Sequence, residues 1–178
     1  IGELEMHKTE IEREILRLSE KYEDALSLIR TVPGFDKDPM TAIQVLSEIG
    51  GDMSVFPTAK NLVSWAGCCP RNDQSNHKIK STRISRAGSY FKPVLVQVAN
   101  ALIKSKKHLE FTNRYKRIKA RRGHKKAIIA ICRMILTAIW HILSDLKPYT
   151  PEGFLESRPV KEEKILSTSQ ALNLLRQR

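Results

Sequence analysis

The first thirty residues carry a helical pattern with neither Pro nor an internal Gly after Gly2. Leu4, Ile11, Leu18 and Ala25 recur every seven positions. Ile1, Ile15, Tyr22 and Ile29 fill the alternate seam, with Lys8 as its one polar member. An apolar residue at both seam positions of a heptad predicts one long helix, 1–30, of the coiled-coil type. The seam is narrow and flanked by Glu3, Glu10, Glu12, Glu14 and Lys21, so it suits a partner helix better than a broad globular face. Val32-Pro33-Gly34 ends this helix, and a second runs from Thr41 to Ile49 before Gly50-Gly51. The stretch 32–50 has the outline of a helix-hairpin-helix element, although Asp36 and Asp38 in its loop would repel a phosphate. A structural role is therefore the expectation there.

Further on, Pro57-Thr58 opens a short helix through Trp65-Ala66, with Thr58 as N-cap and Gly67 as terminator. Residues 68–88 lack apolar periodicity, which predicts a long, mostly irregular segment. Ser89 is placed to cap a helix from Tyr90 to about Lys104. Leu109–Arg122 is another helix, and Gly123 separates it from an apolar helix, Lys125–Leu146. Arg133, His141 and Ser144 interrupt that apolar run, so it reads as a buried helix and not a membrane span. Lys147-Pro148-Tyr149-Thr150-Pro151 closes the fold, and an amphipathic tail follows from Pro159. No strand is predicted with any strength. The expected class is all-α, with a coiled-coil helix over 1–30, a helical domain over 31–154 and an amphipathic or mobile tail over 155–178.

Charge changes this picture. Between Arg71 and Lys126 stand 17 Lys and Arg against two acids, Asp73 and Glu110, a surplus of +15 in a chain whose net charge is +12. Clustered cations of this density neutralise phosphates and release counterions, so a nucleic-acid partner is expected. On the helix 109–122, Arg114, Arg117 and Arg121 recur at helical spacing, with Lys116 and Lys119 beside them. The three cysteines, Cys68, Cys69 and Cys132, have neither the spacing of zinc ligands nor that of a disulfide framework and read as small apolar residues. No cluster of carboxylates suits a metal ion, and no signal peptide is visible. The chain begins at Ile1 and is expected to be a portion of a longer protein.

The polar segment holds a serine among cations: Ser75, followed by Lys78, Lys80, Arg83 and Arg86. Cations lower the energy of a serine alkoxide and of an anionic phosphorane, which is what attack on a phosphodiester requires. The residues alone leave this open, because a loop serine more often bonds its own backbone. Nearby His77 has the chemistry of a base, but a loop histidine in a basic protein is more often a phosphate contact.

Several blocks together carry a resemblance. They are Val32-Pro33-Gly34, Glu48-Ile49-Gly50, Asp52 to Ala59, Leu62 to Pro70, Asn72 to Lys78, Arg86-Ala87-Gly88, Arg121 to Ala127 and Leu146 to Tyr149. In order and spacing over residues 30–150 they resemble the C-terminal domain of transposases of the insertion sequence 110 family, in particular its 1111-type branch. The resemblance implies a DNA recombinase in which an N-terminal RNase-H-like domain supplies acidic metal-binding residues, a coiled coil follows, and this domain supplies a serine nucleophile. It implies Ser75 as that nucleophile, joined covalently to DNA. Lys78 matches a lysine of the family's serine block; with Lys80, Arg83 and Arg86 it is an expected phosphate ligand, and Arg114, Arg117, Arg121, Arg122, Lys125 and Lys126 are the expected surface for DNA backbone or an element-encoded guide RNA. The resemblance further implies a divalent metal such as Mg held by the N-terminal domain and none by this portion. Self-assembly as a dimer or tetramer through 1–30, a cytoplasmic, nucleoid-associated setting and no strand cleavage by this portion alone complete the expectation. His77 stands where the family has glycine, and Ala87 where a basic residue is common. Two other readings remain at this point, a non-catalytic nucleic-acid-binding module and a purely structural dimerisation domain.

Overall fold

A computed structural model describes residues 2–70, 73–75, 78–81 and 83–151, with 73–75 and 78–80 described by their backbone only. Its elements in order are α1 (Gly2–Ser19), α2 (Glu23–Thr31), α3 (Pro39–Ile49), α4 (Ala59–Trp65), β1 (Asp73–Ser75), β2 (Lys78–Ser81), α5 (Phe91–Leu102), α6 (Leu109–Arg122) and α7 (His124–Asp145). The fold is all-α, as the apolar periodicity predicts, with one two-stranded ribbon set into it.

α1 buries none of its residues. Its surface is tied by Lys8–Glu12 at 3.5 Å and by a two-pronged Arg17–Glu14 pair, both solvent-exposed and of modest worth. The expected single helix over 1–30 is interrupted. Glu20–Tyr22 tighten into a 3₁₀ turn before α2 begins. Three residues at three per turn, not 3.6, swing the following helix by roughly 60°. In α2 the buried positions are accordingly Leu26 and Ile29, while Ala25 of the heptad seam is only half-buried. The change falls where the chain passes from a helix in solvent to one packed on α3 and α7.

α7 is the centre of the core. Eleven of its 22 residues are buried, and α2, α4, α5 and α6 pack around it. It is long and apolar enough to cross a bilayer, but here its apolar surface is covered by other helices. The largest fully buried side chains include Phe35, Phe91, Phe111 and Ile131. Phe35 sits just beyond the Val32-Pro33-Gly34 turn, where Gly34 has φ +93° and lies so close to α5 that an added Cβ would meet Val98 Cγ1 at 2.7 Å. Two long-range hydrogen bonds lock the periphery. Trp140 Nε1 donates to the Phe56 carbonyl at 2.8 Å, and the Tyr149 amide donates to Thr31 Oγ1 at 2.9 Å.

Helix starts follow local capping chemistry. Thr58 caps α4 as predicted, through the Asn61 amide and side chain. α3 starts two residues earlier than its apolar pattern suggests. Asp38 accepts from Met40 N at 3.0 Å and Thr41 Oγ1 at 2.8 Å, and Pro39 occupies the first turn. α5 starts at Phe91, with Lys92 N bonded to Gly88 O, and Ser89 is not its cap. The expected tail, 155–178, lies outside the described residues.

Candidate nucleic-acid interface and the Ser75 ribbon

The segment expected to be irregular is organised by a closed neck. Gly67, at φ +67°, and Gly88, at φ +66°, bring two backbone stretches into contact: a Cβ on Gly88 would lie 2.7 Å from Ala66 O, and one on Gly67 would lie 2.6 Å from Ala87 O. Only residues without a Cβ fit such an approach. Lys92 Nζ, reaching back from α5, donates to Ser85 O at 2.8 Å, and Ser85 Oγ accepts from Ala87 N at 3.1 Å. Above the neck, Pro70 and Ile84 form an antiparallel bridge. Lys92 was not among the sequence-predicted residues. Its signal was weak, one lysine at the start of an apolar helix, and its role depends on a carbonyl that only the fold brings near.

Beyond the bridge runs the ribbon. β1 and β2 are antiparallel, with Ser75 opposite Lys78, Gln74 opposite Ile79 and Asp73 opposite Ser81. Lys80 has no opposite residue and is the extra residue of a β-bulge. The register therefore brings two of the predicted site residues together, Ser75 and Lys78, as the last pair of the ribbon. Directly opposed residues in an antiparallel pair have Cα atoms about 4.5–5.5 Å apart. Arg83 and Arg86 are exposed on the chain that returns from β2 to the neck, where Arg83 N donates to Ser81 Oγ at 3.2 Å. His77 lies outside the described residues.

The second cationic group is built by α6 and the start of α7. Arg117, Arg121 and Arg122 of α6 and Lys125 and Lys126 of α7 are exposed. Arg114 differs from the expectation of a freely presented phosphate ligand, being half-buried with its Nε shielded from solvent. The cations Lys119, Arg121 and Arg122 occupy the last turn of α6, and Glu110 its first, the arrangement the helix dipole favours. Gly123, at φ +80°, turns α6 into α7 and leaves the first turn of α7 without a side-chain cap. Its amides open among Arg121, Arg122, Lys125 and Lys126, a setting that favours an anion. His124 is oriented there by a 2.8 Å hydrogen bond between its Nδ1 and Tyr115 Oη, and Lys119 Nζ sits 5.7 Å from the Tyr115 ring centre. The start of α3 offers no such opening, since Asp38 already occupies its amides.

Cys68 and Cys132 are fully buried, and burial pushes their thiols up to about 11 and about 12. They stay neutral and unreactive at physiological pH. Among the described residues, no group of three or more His, Cys, Asp or Glu side chains comes together.

The Transposase IS116/IS110/IS902 family matches residues 26–117, just over half of the chain, from α2 through the neck and ribbon into α6. The chain belongs to this family. Two curated relatives, each a pilin gene-inverting protein, one from Moraxella lacunata and one from Moraxella bovis, are 30% identical to it over 125 residues. The alignment covers 69% of this chain and 38% of either relative, so the chain spans well under half the length of the relatives it matches. No solved structure matches.

Proposed function

We propose that the chain is the strand-exchange portion of an insertion-sequence transposase or site-specific DNA recombinase, and that Ser75 is its nucleophile. The observation that carries the reading is the pairing of Ser75 with Lys78 at the far end of a ribbon that stands on a glycine-closed neck. A nucleophile for DNA must reach a phosphate on a rigid-rod substrate, and a ribbon held at its base is a backbone frame suited to that task. Membership of the transposase family and similarity to gene-inverting proteins support the same reading.

In the proposed step the Ser75 hydroxyl oxygen bonds to a backbone phosphorus and one bridging P–O bond breaks. The departing deoxyribose oxygen takes up a proton, and the serine proton passes to a base or to water. One phosphodiester is exchanged for another, so attack by a hydroxyl of a different strand reverses the step and joins the strands with no energy-rich cofactor. Lys78, Lys80, Arg83 and Arg86 hold the phosphate and offset the charge that builds on its non-bridging oxygens. Arg117, Arg121, Arg122, Lys125 and Lys126 hold the flanking DNA backbone or a guide RNA. Among the described residues no cluster of His, Cys, Asp or Glu fits a metal ion. The divalent metal, the acidic domain, RNA guidance and the 1111-type branch follow from the resemblance alone. Leu4, Ile11 and Leu18, exposed at 74%, 61% and 56%, form the seam through which we propose that α1 pairs with a second copy.

The deciding experiment places Ser75→Ala in the complete recombinase. Retained DNA and RNA binding with no covalent protein–DNA adduct and no recombinant product is expected. Recombination at the unaltered rate would remove Ser75 from the chemistry and leave a binding module.

A further inference from the structure

Two aromatic side chains stand in solvent at the foot of the Ser75 ribbon. Trp65, the last residue of α4, is 43% exposed although its ring packs on Phe56 at 5.6 Å and on Phe91 at 5.8 Å. Tyr90, at the start of α5, is 79% exposed, and its side chain makes no capping hydrogen bond. The neck brings them to one place: Ala66, next to Trp65, touches Gly88, two residues before Tyr90, and the Trp65 ring rests on Phe91, the neighbour of Tyr90. Exposing two such rings forfeits burial free energy that a core could have used. Their surroundings are cationic. Between Asp52 and Glu110 the sequence has ten Lys and Arg and a single acid, Asp73, with Arg83 and Arg86 exposed on the chain leading into the neck and Lys60 exposed in the first turn of α4.

From this we infer that Trp65 and Tyr90 form a stacking platform for unpaired bases of single-stranded DNA at the foot of the ribbon that carries Ser75. The inference rests on the reading of the chain as a DNA-acting protein and adds which form of DNA the site holds. A duplex hides the faces of its bases, whereas an unpaired base offers a π-face to any aromatic ring, and cations beside the ring hold the adjoining phosphates. Strand exchange needs such a stretch, because nucleotides flanking a broken phosphodiester must leave one duplex before joining another. The surplus of cations over acids in this region favours a polyanion as the occupant, and the exposed rings favour one that carries aromatic faces.

The test is a fluorescence titration of this 178-residue chain carrying Trp140→Phe, which leaves Trp65 as the sole tryptophan. The probes are a single-stranded oligothymidylate of about 15 nucleotides, a duplex of equal length and polyglutamate. Quenching of Trp65 by the oligothymidylate and not by the duplex is expected, because stacking on a base quenches indole emission. Tyr90→Ser is expected to weaken oligothymidylate binding by roughly 5-fold or more with an unchanged salt slope, since every phosphate keeps its cation, and Tyr90→Phe to retain it. Tyr90 is exposed, so its replacement leaves the core intact, and the Tyr90→Ser affinity comparison, made with Trp140 retained, keeps the test valid if Trp140→Phe unfolds the chain. Equal affinity in Tyr90→Ser, or saturation without quenching, overturns the platform while leaving DNA binding in place. Quenching by polyglutamate equal to that by DNA assigns the patch to a protein and also overturns it. Absence of any salt-dependent binding removes the DNA reading together with the platform.

Discussion

Gly88→Ala probes the neck on which the ribbon stands. Gly88 has φ +66°, and its Cβ would lie 2.7 Å from Ala66 O, 3.3 Å from Ala66 C and 3.6 Å from Ala66 Cα. All three neighbours are backbone, so nothing swings aside as a side-chain end would. A non-glycine residue at positive φ costs about 1–3 kcal/mol. Forcing a methyl group into a filled space adds about 1–3 kcal/mol. The substitution is therefore expected to cost about 2–6 kcal/mol in total. Gly123→Ala supplies the comparison, because Gly123 has φ +80° but no atom within 4 Å of its Cβ position. It carries the conformational cost alone, about 1–3 kcal/mol. Urea unfolding followed by far-ultraviolet circular dichroism measures both, with unchanged m-values as the check that the two-state comparison holds. In Gly88→Ala the neck opens, the Lys92–Ser85 bond breaks, and protease cleavage within 71–86 rises before global unfolding. Equal costs for the two substitutions, with no rise in cleavage, would refute the reasoning: the neck would then not be closed by the backbone approach at all.

Three further outcomes are expected. Arg117→Ala and Arg121→Ala, both at exposed positions, should flatten the dependence of log affinity on log salt by about one unit for each phosphate no longer neutralised, without shifting the unfolding midpoint, whereas half-buried Arg114→Ala should also lower that midpoint. Lys substitution of Leu4, Ile11 and Leu18 together should reduce self-association in light scattering and leave the stability of the monomer unchanged, since all three are exposed within it. Stability should fall at alkaline pH, because burial raises Cys68 to about 11, Cys132 to about 12 and Tyr149 to about 12. A raised folded value means the contribution is fully present below the ordinary thiol value of 9.0 and is lost as pH climbs through 11 and 12; denaturant midpoints across that range read it, and a flat profile would contradict the burial of these groups.

Much of the helical order was legible in the residues because it is written in short-range chemistry. Thr58 and Gly67 mark the ends of α4, Gly123 divides α6 from α7, and the apolar rows of α5 and α7 announce their buried faces. Where local chemistry competed with another signal, the boundary moved. In the sequence Asp38 is a charge that would repel phosphate, whereas in the fold its carboxylate caps α3. The ribbon escaped detection since Asp73–Ser81 contains one apolar residue, Ile79, and so no alternation. The heptad seam through residue 25 gave no sign of the 3₁₀ turn at Glu20–Tyr22, for a seam records which positions are apolar and not what each will meet.

By itself the sequence determined the all-helical class, the concentration of positive charge in 71–126, and the serine set among cations. Only the tertiary structure decided that Gly67 and Gly88 meet, that Lys92 closes the neck, that Ser75 stands opposite Lys78, and that Arg114 is drawn inward while Arg117 and Arg121 stay in solvent. The physical reason is range. Caps, turns and helical faces are set by residues within a few positions of one another, whereas the neck and the exposure of each cation depend on which faces pack together, and an apolar pattern marks a face without naming its partner.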